Sequence, residues 1–211
     1  MRTVAIIGYG ELGCQVERMV VGQARPDQVY FFDDLRHAAK EKNSLPFDAF
    51  HESRFADAEF YVALGYRHLD RKKQIISQLL DYQRNLPNLI HPTCHVSQDV
   101  KMGVGCILYP MCNIDMNVII GNGALIHNSV TVSHHCEIGD SVYISPGVVL
   151  CGRVRVEAAS FLGAGAIVAN GVTIASEARV AIGTVVSKNV PHHVSIIGNP
   201  MRVMSRPFSF R

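Results

Sequence analysis

Val96, Met102, Leu108, Ile114, Ile120, Ile126, Val132, Ile138, Ile144, Leu150, Val156, Leu162, Val168, Ile174, Val180 and Val186 follow one another at every sixth position. All are aliphatic or Met, without a slip or an insertion. Four residues after each anchor stands a small or β-branched residue, as at Cys106, Cys112, Val118, Ala124, Val130, Cys136, Val142 and Ser160. Gly often follows the anchor directly, as at Gly103, Gly121, Gly139 and Gly163. A hexapeptide repeat of this kind predicts a β-helix. Each hexapeptide forms one side of a triangular prism, and three make an 18-residue coil. The anchors stack coil on coil into a continuous apolar column, so each repeat depends on its neighbours.

The 211 residues accommodate a second unit ahead of the repeat, which begins near residue 91. We place the boundary at residues 1–86 and 87–211. Thr3–Gly8 is a continuous apolar run ending in Gly, as in a buried parallel strand. Gly8-Tyr9-Gly10-Glu11-Leu12-Gly13 follows, and Leu12, Val16, Met19 and Val20 fall at helical spacing. A glycine turn joining strand to helix is the context of the GxGxxG fingerprint. Gln28–Phe32 reads as a second strand ending in Asp33-Asp34, where the dinucleotide fold places a ribose-binding carboxylate; a tight structural turn with an N-cap Asp is the alternative. A half-sized fold without a nicotinamide site favours a nucleotide diphosphate group over NAD. Residues 47–53 suggest a short strand, Glu59–Gly65 a clear one, and Asp70–Arg84 an amphipathic helix. Arg71-Lys72-Lys73 reads equally as a phosphate contact and as a solvated helix face.

A net charge of +2 favours neither a nucleic-acid partner nor an anionic membrane. No apolar run reaches spanning length, and no secretory leader is expected. The six Cys are scattered, with Cys106, Cys112 and Cys136 at inward repeat positions. They read as small core residues of a reduced, cytoplasmic protein. After Val186 the pattern breaks at Lys188-Asn189-Val190-Pro191, and Ile196-Ile197-Gly198-Asn199-Pro200 is expected to leave the last coil.

Together these features resemble the left-handed β-helix acyltransferases of the sialic-acid O-acetyltransferase and bacillosamine-pathway N-acetyltransferase type. The motifs that carry the resemblance are Gly8–Gly13, Asp33-Asp34, Leu89-Ile90-His91-Pro92, the segment Ser133-His134-His135-Cys136-Glu137-Ile138-Gly139-Asp140, and Gly198-Asn199-Pro200. The likeness implies a Rossmann-like α/β domain followed by a left-handed parallel β-helix. It implies a homotrimer with sites between prisms, acetyl-CoA as donor, and a nucleotide-linked amino sugar as acceptor. It implies that His134 is the catalytic base. The family's adjacent Glu is here His135, and its second, coenzyme-facing His is here Tyr143. Nucleotide-sugar contacts map onto Gly10, Glu11, Leu12, Asp33 and Asp34, and coenzyme contacts onto Tyr143 and the region of Ala164, Ile182 and Gly183.

Attack of an amine on a thioester needs a base and a holder for the tetrahedral oxyanion. Histidine titrates near neutrality and suits the first task. Backbone N–H groups suit the second. The coil period sets Gly152 beside His134, and we expect its N–H to be the oxyanion donor. His135, beside Arg153 by the same arithmetic, would fix the tautomer of His134, or the two would exchange roles. Asp115 or Glu137, from this subunit or the next, is an alternative carboxylate partner, and His127 is expected to line the acceptor site. An O-acetyltransferase on sialic acid or another sugar is the alternative activity. A zinc enzyme of the γ-carbonic anhydrase kind needs three converging His. His127 with His134 or His135 supplies two, so no metal is expected. A scaffold without activity is a further reading, since the Glu and second His are missing.

Overall fold

The computed structural model describes residues 2–204 and divides into two compact units between Leu89 and Ile90. The first unit holds β1 (Thr3–Ile7), α1 (Glu11–Ala24), β2 (Gln28–Phe32), α2 (Asp34–Ala38), β3 (Ser44–Leu45), β4 (Glu59–Val62) and α3 (Leu69–Asp81). Its sheet is parallel, in the order β3-β2-β1-β4. Ala5, Ile7, Phe32, Phe60 and Val62 from the strands bury against Ile75, Ile76 and Leu79 of α3. Gly13 is needed where it stands, because a Cβ there would strike the Gly8 carbonyl oxygen. Its absence lets α1 pack close on the turn.

Two local expectations change. Residues 47–53 form no strand; Phe47–His51 and Ser53–Phe55 are 3₁₀ turns that drive Phe50 and Phe55 into the core. The parallel strand of this region is instead the two-residue β3. Helix α3 stops at Asp81, short of Arg84, because Gln83 adopts a left-handed backbone (φ 54°). The Arg84 N–H then bonds back to the Leu79 carbonyl at 2.8 Å, a Schellman-type closure.

The second unit is a three-sided parallel β-helix. Each face is built of two-residue strands, and every anchor of the repeat from His95–Val96 to Val185–Val186 is the second residue of its strand. The register is eighteen residues throughout this run: Ile120 pairs with Ile138, Ile126 with Ile144 and Val132 with Leu150. From Leu108 to Val186 the anchors are at most 2% exposed. Removing one such side chain to Ala costs about 2–5 kcal/mol. Inward polar groups are satisfied by the next coil: Ser160 Oγ donates to the Ala175 carbonyl at 2.9 Å. The Cys106, Cys112 and Cys136 thiols likewise donate to Gly121, His127 and Cys151 carbonyls at 3.0–3.1 Å. All six Cys are free thiols.

Three columns of left-handed residues turn the chain at the corners. Asn117, His135, Arg153 and Gly171 (φ 57–69°) form one column, and Met111, Ser129, Gly147, Gly165 and Gly183 form a second. The third runs through Gly105, Gly123, Ser141, Ala159 and Glu177. Left-handed backbone is costly outside Gly and Asn, so these positions are fixed by the fold rather than by preference.

The segment after Val186 does not leave the prism. Val190 bridges to Ile174 and Ile196 pairs with Val180, both sixteen residues on instead of eighteen. The closing coil is therefore two residues short. Val190 and Ile196 are 1% and 0% exposed and continue the apolar column. Arg202–Val203 then pairs antiparallel with the strand Ser195–Ile197 and finishes that face. The exposed break at Lys188-Asn189 resembles an exit in sequence because shortening one face removes an anchor without interrupting the core.

Candidate active site

His134 lies at a corner, two residues past the buried anchor Val132. Its backbone is held on one side, where the Arg153 N–H donates to its carbonyl at 3.0 Å. Its imidazole lies over Gly152. A Cβ built on Gly152 would stand 2.6 Å from Cε1 and 2.7 Å from Nε2 of that ring. Only a residue without a side chain leaves room for the imidazole at this point. Gly152 has no left-handed φ, so the requirement is one of space.

His134 Nδ1 lies 3.1 Å from Nδ1 of His135, with the two rings nearly perpendicular at 84°. One of these nitrogens donates and the other accepts. If His135 accepts, His134 carries its proton on Nδ1 and presents the Nε2 lone pair at the Gly152 side. His135 reaches this position because it occupies the left-handed corner, with its N–H on the Met116 carbonyl at 3.0 Å. His134 is half-buried and His135 exposed. Arg153 stands at the matching corner of the next coil, also exposed.

Within this chain the two candidate carboxylates have other partners. Glu137 pairs with Arg155 at 2.9 Å on the adjoining face. Asp115 Oδ1 accepts from the Met116 N–H at 2.7 Å.

His127 sits one face away in an aromatic row. It stacks on Tyr109 at 4.3 Å and 20°, and Tyr143 lies 5.7 Å beyond, itself 5.7 Å from Phe161. Burial lowers the His127 pKa, partly offset by its contact with Asn128. Tyr143 is buried within this row. Ala164, Ile182 and Gly183 meet at one corner of successive coils, where the Gly183 N–H donates to the Ala164 carbonyl at 2.8 Å. Ile182 is 67% exposed there, an apolar side chain left in water.

In the first unit, a cavity of about 380 Å³ opens at the carboxyl ends of β1 and β2. Asp33 and Asp34 line it, together with Phe47, His68 and Arg71. Open α/β sheets bind ligands at this end of their strands. Asp33 has the structural role that the sequence offered as the alternative. It caps α2 by accepting from the Leu35 and Arg36 N–H groups at 3.1 Å, and it accepts from the Tyr9 N–H at 3.0 Å. It thus holds the glycine turn in shape. Asp34 accepts from the Phe47 N–H through Oδ1 at 2.9 Å, and Oδ2 is the oxygen left over. Gly10, Glu11 and Leu12 are not among the residues lining this cavity. Gly10 is exposed, and a Cβ there would meet nothing within 4 Å. Arg71 faces the cavity, while its neighbour Lys72 is fully buried. His68 and Phe47 carried no sequence signal, since both belong to short 3₁₀ turns without a repeat or motif.

The bacterial transferase hexapeptide (six repeats) family profile matches residues 117–152, the stretch that carries both His134 and Gly152. A search of curated protein sequences finds no significant match. Among solved structures, PerB from Caulobacter crescentus in complex with CoA and GDP-perosamine superposes with a TM-score of 0.88. It is 27% identical over 97% of this chain and 98% of that one. The acetyltransferase domain of PglB from Neisseria gonorrhoeae FA1090 gives 0.86 at 24% identity, over 97% of this chain and 100% of that one. WeeI from Acinetobacter baumannii AYE gives 0.87 at 23%, over 97% and 100%. The solenoid is thus the left-handed parallel β-helix. The hexapeptide profile and the likeness to PerB support an acyltransferase built on this repeat. Within that class it has the layout of the sugar acetyltransferases, a small α/β unit followed by an unbroken solenoid. No helix of the described residues is long and apolar enough to cross a membrane.

Proposed function

We propose that the protein is an acetyl-CoA-dependent N-acetyltransferase that acts on the amine of a nucleotide-linked amino-deoxy sugar, for surface-glycan assembly in the cytoplasm. The single observation that carries this reading is the His134 imidazole seated over Gly152 with Nδ1 engaged by His135. The 27% likeness to PerB, solved with CoA and GDP-perosamine, supports the choice of donor and acceptor. The cavity lined by Asp33, Asp34 and Arg71 offers a carboxylate pair and a guanidinium to a nucleotide. The functional form is a homotrimer, as the resemblance implies.

In this mechanism the neutral sugar amine attacks the thioester carbonyl of acetyl-CoA, and His134 Nε2 takes the amine proton. The carbonyl oxygen becomes an oxyanion, held by the Gly152 N–H. The C–S bond then breaks, the proton passes to the departing thiolate, and an amide and free CoA remain. His135 accepts from His134 Nδ1–H and so keeps Nε2 free for the amine. Neutral His135 supplies less stabilisation to the imidazolium than a carboxylate would.

Thiol release measured with a panel of nucleotide-linked amino sugars tests the assignment. His134→Ala is expected to lower turnover by about 10²–10⁴-fold while CoA still binds. Near-normal turnover in that variant sinks the assignment of the base. Failure of every amino sugar, with acceptance of a hydroxyl-bearing sugar, overturns the amine as nucleophile.

A further inference from the structure

A second cluster of chemistry-bearing groups lies at the closing coil, outside the acyl-transfer site. Glu177 and His193 occupy the same left-handed corner position in successive coils, three residues after the buried anchors Ile174 and Val190 (φ 59° and 58°). The two-residue shortening of that coil brings His192 and His193 onto the corner column behind Glu177. One donor atom from each of Glu177, His192 and His193 lies within 4.8 Å of the others. Glu177 is half-buried and both histidines are exposed.

The local hydrogen bonds orient these donors. His192 Nδ1 lies 2.9 Å from the Ser176 carbonyl oxygen. The Ser176 hydroxyl lies at the same 2.9 Å from Nδ1. With the Nδ1 proton donated to the carbonyl, which only accepts, Nε2 keeps its lone pair. A backbone carbonyl on the non-ligating nitrogen is the usual outer support of a metal-binding histidine. His193 Nδ1 lies 3.0 Å from Glu177 Oε2. That separation suits an ion pair, and it equally suits two donors on one ion about 2.1 Å from each. The His192 and His193 rings pack against each other with centroids 3.6 Å apart, and the donor-atom separations bring the three groups within reach of one ion.

From this geometry we propose that Glu177, His192 and His193 form a divalent transition-metal site, with water in the remaining positions. Two imidazoles and one carboxylate favour Zn²⁺, Ni²⁺ or Cu²⁺ over Mg²⁺ or Ca²⁺, which prefer all-oxygen ligands. The ion's role is to fasten the shortened coil to the last full one. Solenoid ends lack a neighbour on one side and need a cap. The proposal is independent of the transferase reading, because none of the three residues belongs to the acyl-transfer machinery.

The test uses the full chain without an affinity tag, dialysed against Zn²⁺ alone and then washed free of loose metal. One Zn²⁺ retained per chain is expected, with a rise in Tm that Mg²⁺ does not reproduce. The double variant His192→Ala/His193→Ala is expected to bind Zn²⁺ at least tenfold more weakly, lose the Tm rise and keep its basal transferase activity. Glu177→Gln gives a second, milder variant, expected to weaken binding with the fold intact. Co²⁺ substitution separates this site from the thiols: nitrogen and oxygen ligands give d–d bands without a thiolate charge-transfer band. Equal retention by wild type and double variant, a thiolate band, or equal binding of Mg²⁺ each overturns the proposal.

Discussion

Gly152→Ala tests the geometry of the acyl-transfer corner with one methyl group. The added Cβ would stand 2.6–2.7 Å from two atoms of the His134 ring, where ordinary contact is about 3.7 Å. Either the ring or the coil must yield by about 1 Å. The ring is the softer partner, because Gly152 itself is clamped by the Gly171 N–H on its carbonyl at 3.0 Å. Alanine is compatible with the Gly152 backbone, which has no left-handed φ, so the fold persists at a cost of about 1 kcal/mol. A displacement of about 1 Å in a reacting group costs about 10²-fold in rate, or about 2.7 kcal/mol. We therefore expect kcat to fall about 100-fold in the thiol-release assay, with donor KM changed less than about threefold and Tm nearly unchanged. In a His134→Ala background the same substitution should cost almost nothing further, because the group it displaces is gone. An unchanged kcat in Gly152→Ala, or an additive loss in the double variant, refutes the placement of the ring over Gly152 as the catalytic arrangement.

His135→Ala leaves His134 Nδ1 without its partner and should lower kcat by about tenfold or more, whereas His135→Glu should restore or exceed wild-type turnover by returning a charged acceptor to that nitrogen. Asp34→Ala should raise the acceptor KM with Tm little changed. Asp33→Ala should lower Tm as well, since it removes a helix cap worth about 1 kcal/mol and the bond to the Tyr9 N–H. Cys94 should be alkylated before Cys112, at a rate that climbs through about pH 7. The neighbouring Cys112 thiol lowers the Cys94 pKa to about 7, whereas the same contact and burial push Cys112 up. Mass mapping of partially alkylated protein at pH 6 and pH 8 checks this, and equal labelling of the two thiols contradicts it.

The sequence made the solenoid legible because its period is enforced at every anchor, and a fixed period is also a table of neighbours. It placed Gly152 against His134 and Arg153 at the corner following His135 before any coordinates. The same eighteen-residue step also sets Glu137 beside Arg155, and the ion pair draws that carboxylate away from the histidine corner of its own chain. The sequence did not reveal the shortened coil, since two missing residues make Val190 and Ile196 fall out of phase although both remain in the core. The first unit was legible through its strand–turn–helix signature. The part that shapes the cavity was not, because Phe47 and His68 lie in short turns set by tertiary packing. Asp33 stood out by position, and of the two roles that its position offers, ribose contact and helix cap, the hydrogen bonds to Leu35 and Arg36 bear out the cap.

The fixed register between stacked coils also limits how this chain can change in length. A single inserted residue between His134 and Gly152 would turn every later anchor off the core and carry the glycine away from the imidazole. Within the eighteen-residue run, only whole coils keep every anchor in phase, whereas the closing coil accommodates a two-residue deficit at the end of the prism. A coil inserted between residues 135 and 151 would part His134 from Gly152 by about one strand spacing, near 4.8 Å, and disable the corner. The same coil inserted beyond Gly171 would lengthen the molecule and leave the corner untouched. Length in this enzyme is quantised, and the two-residue deficit at Val190 stands after the last position at which the active corner depends on the count.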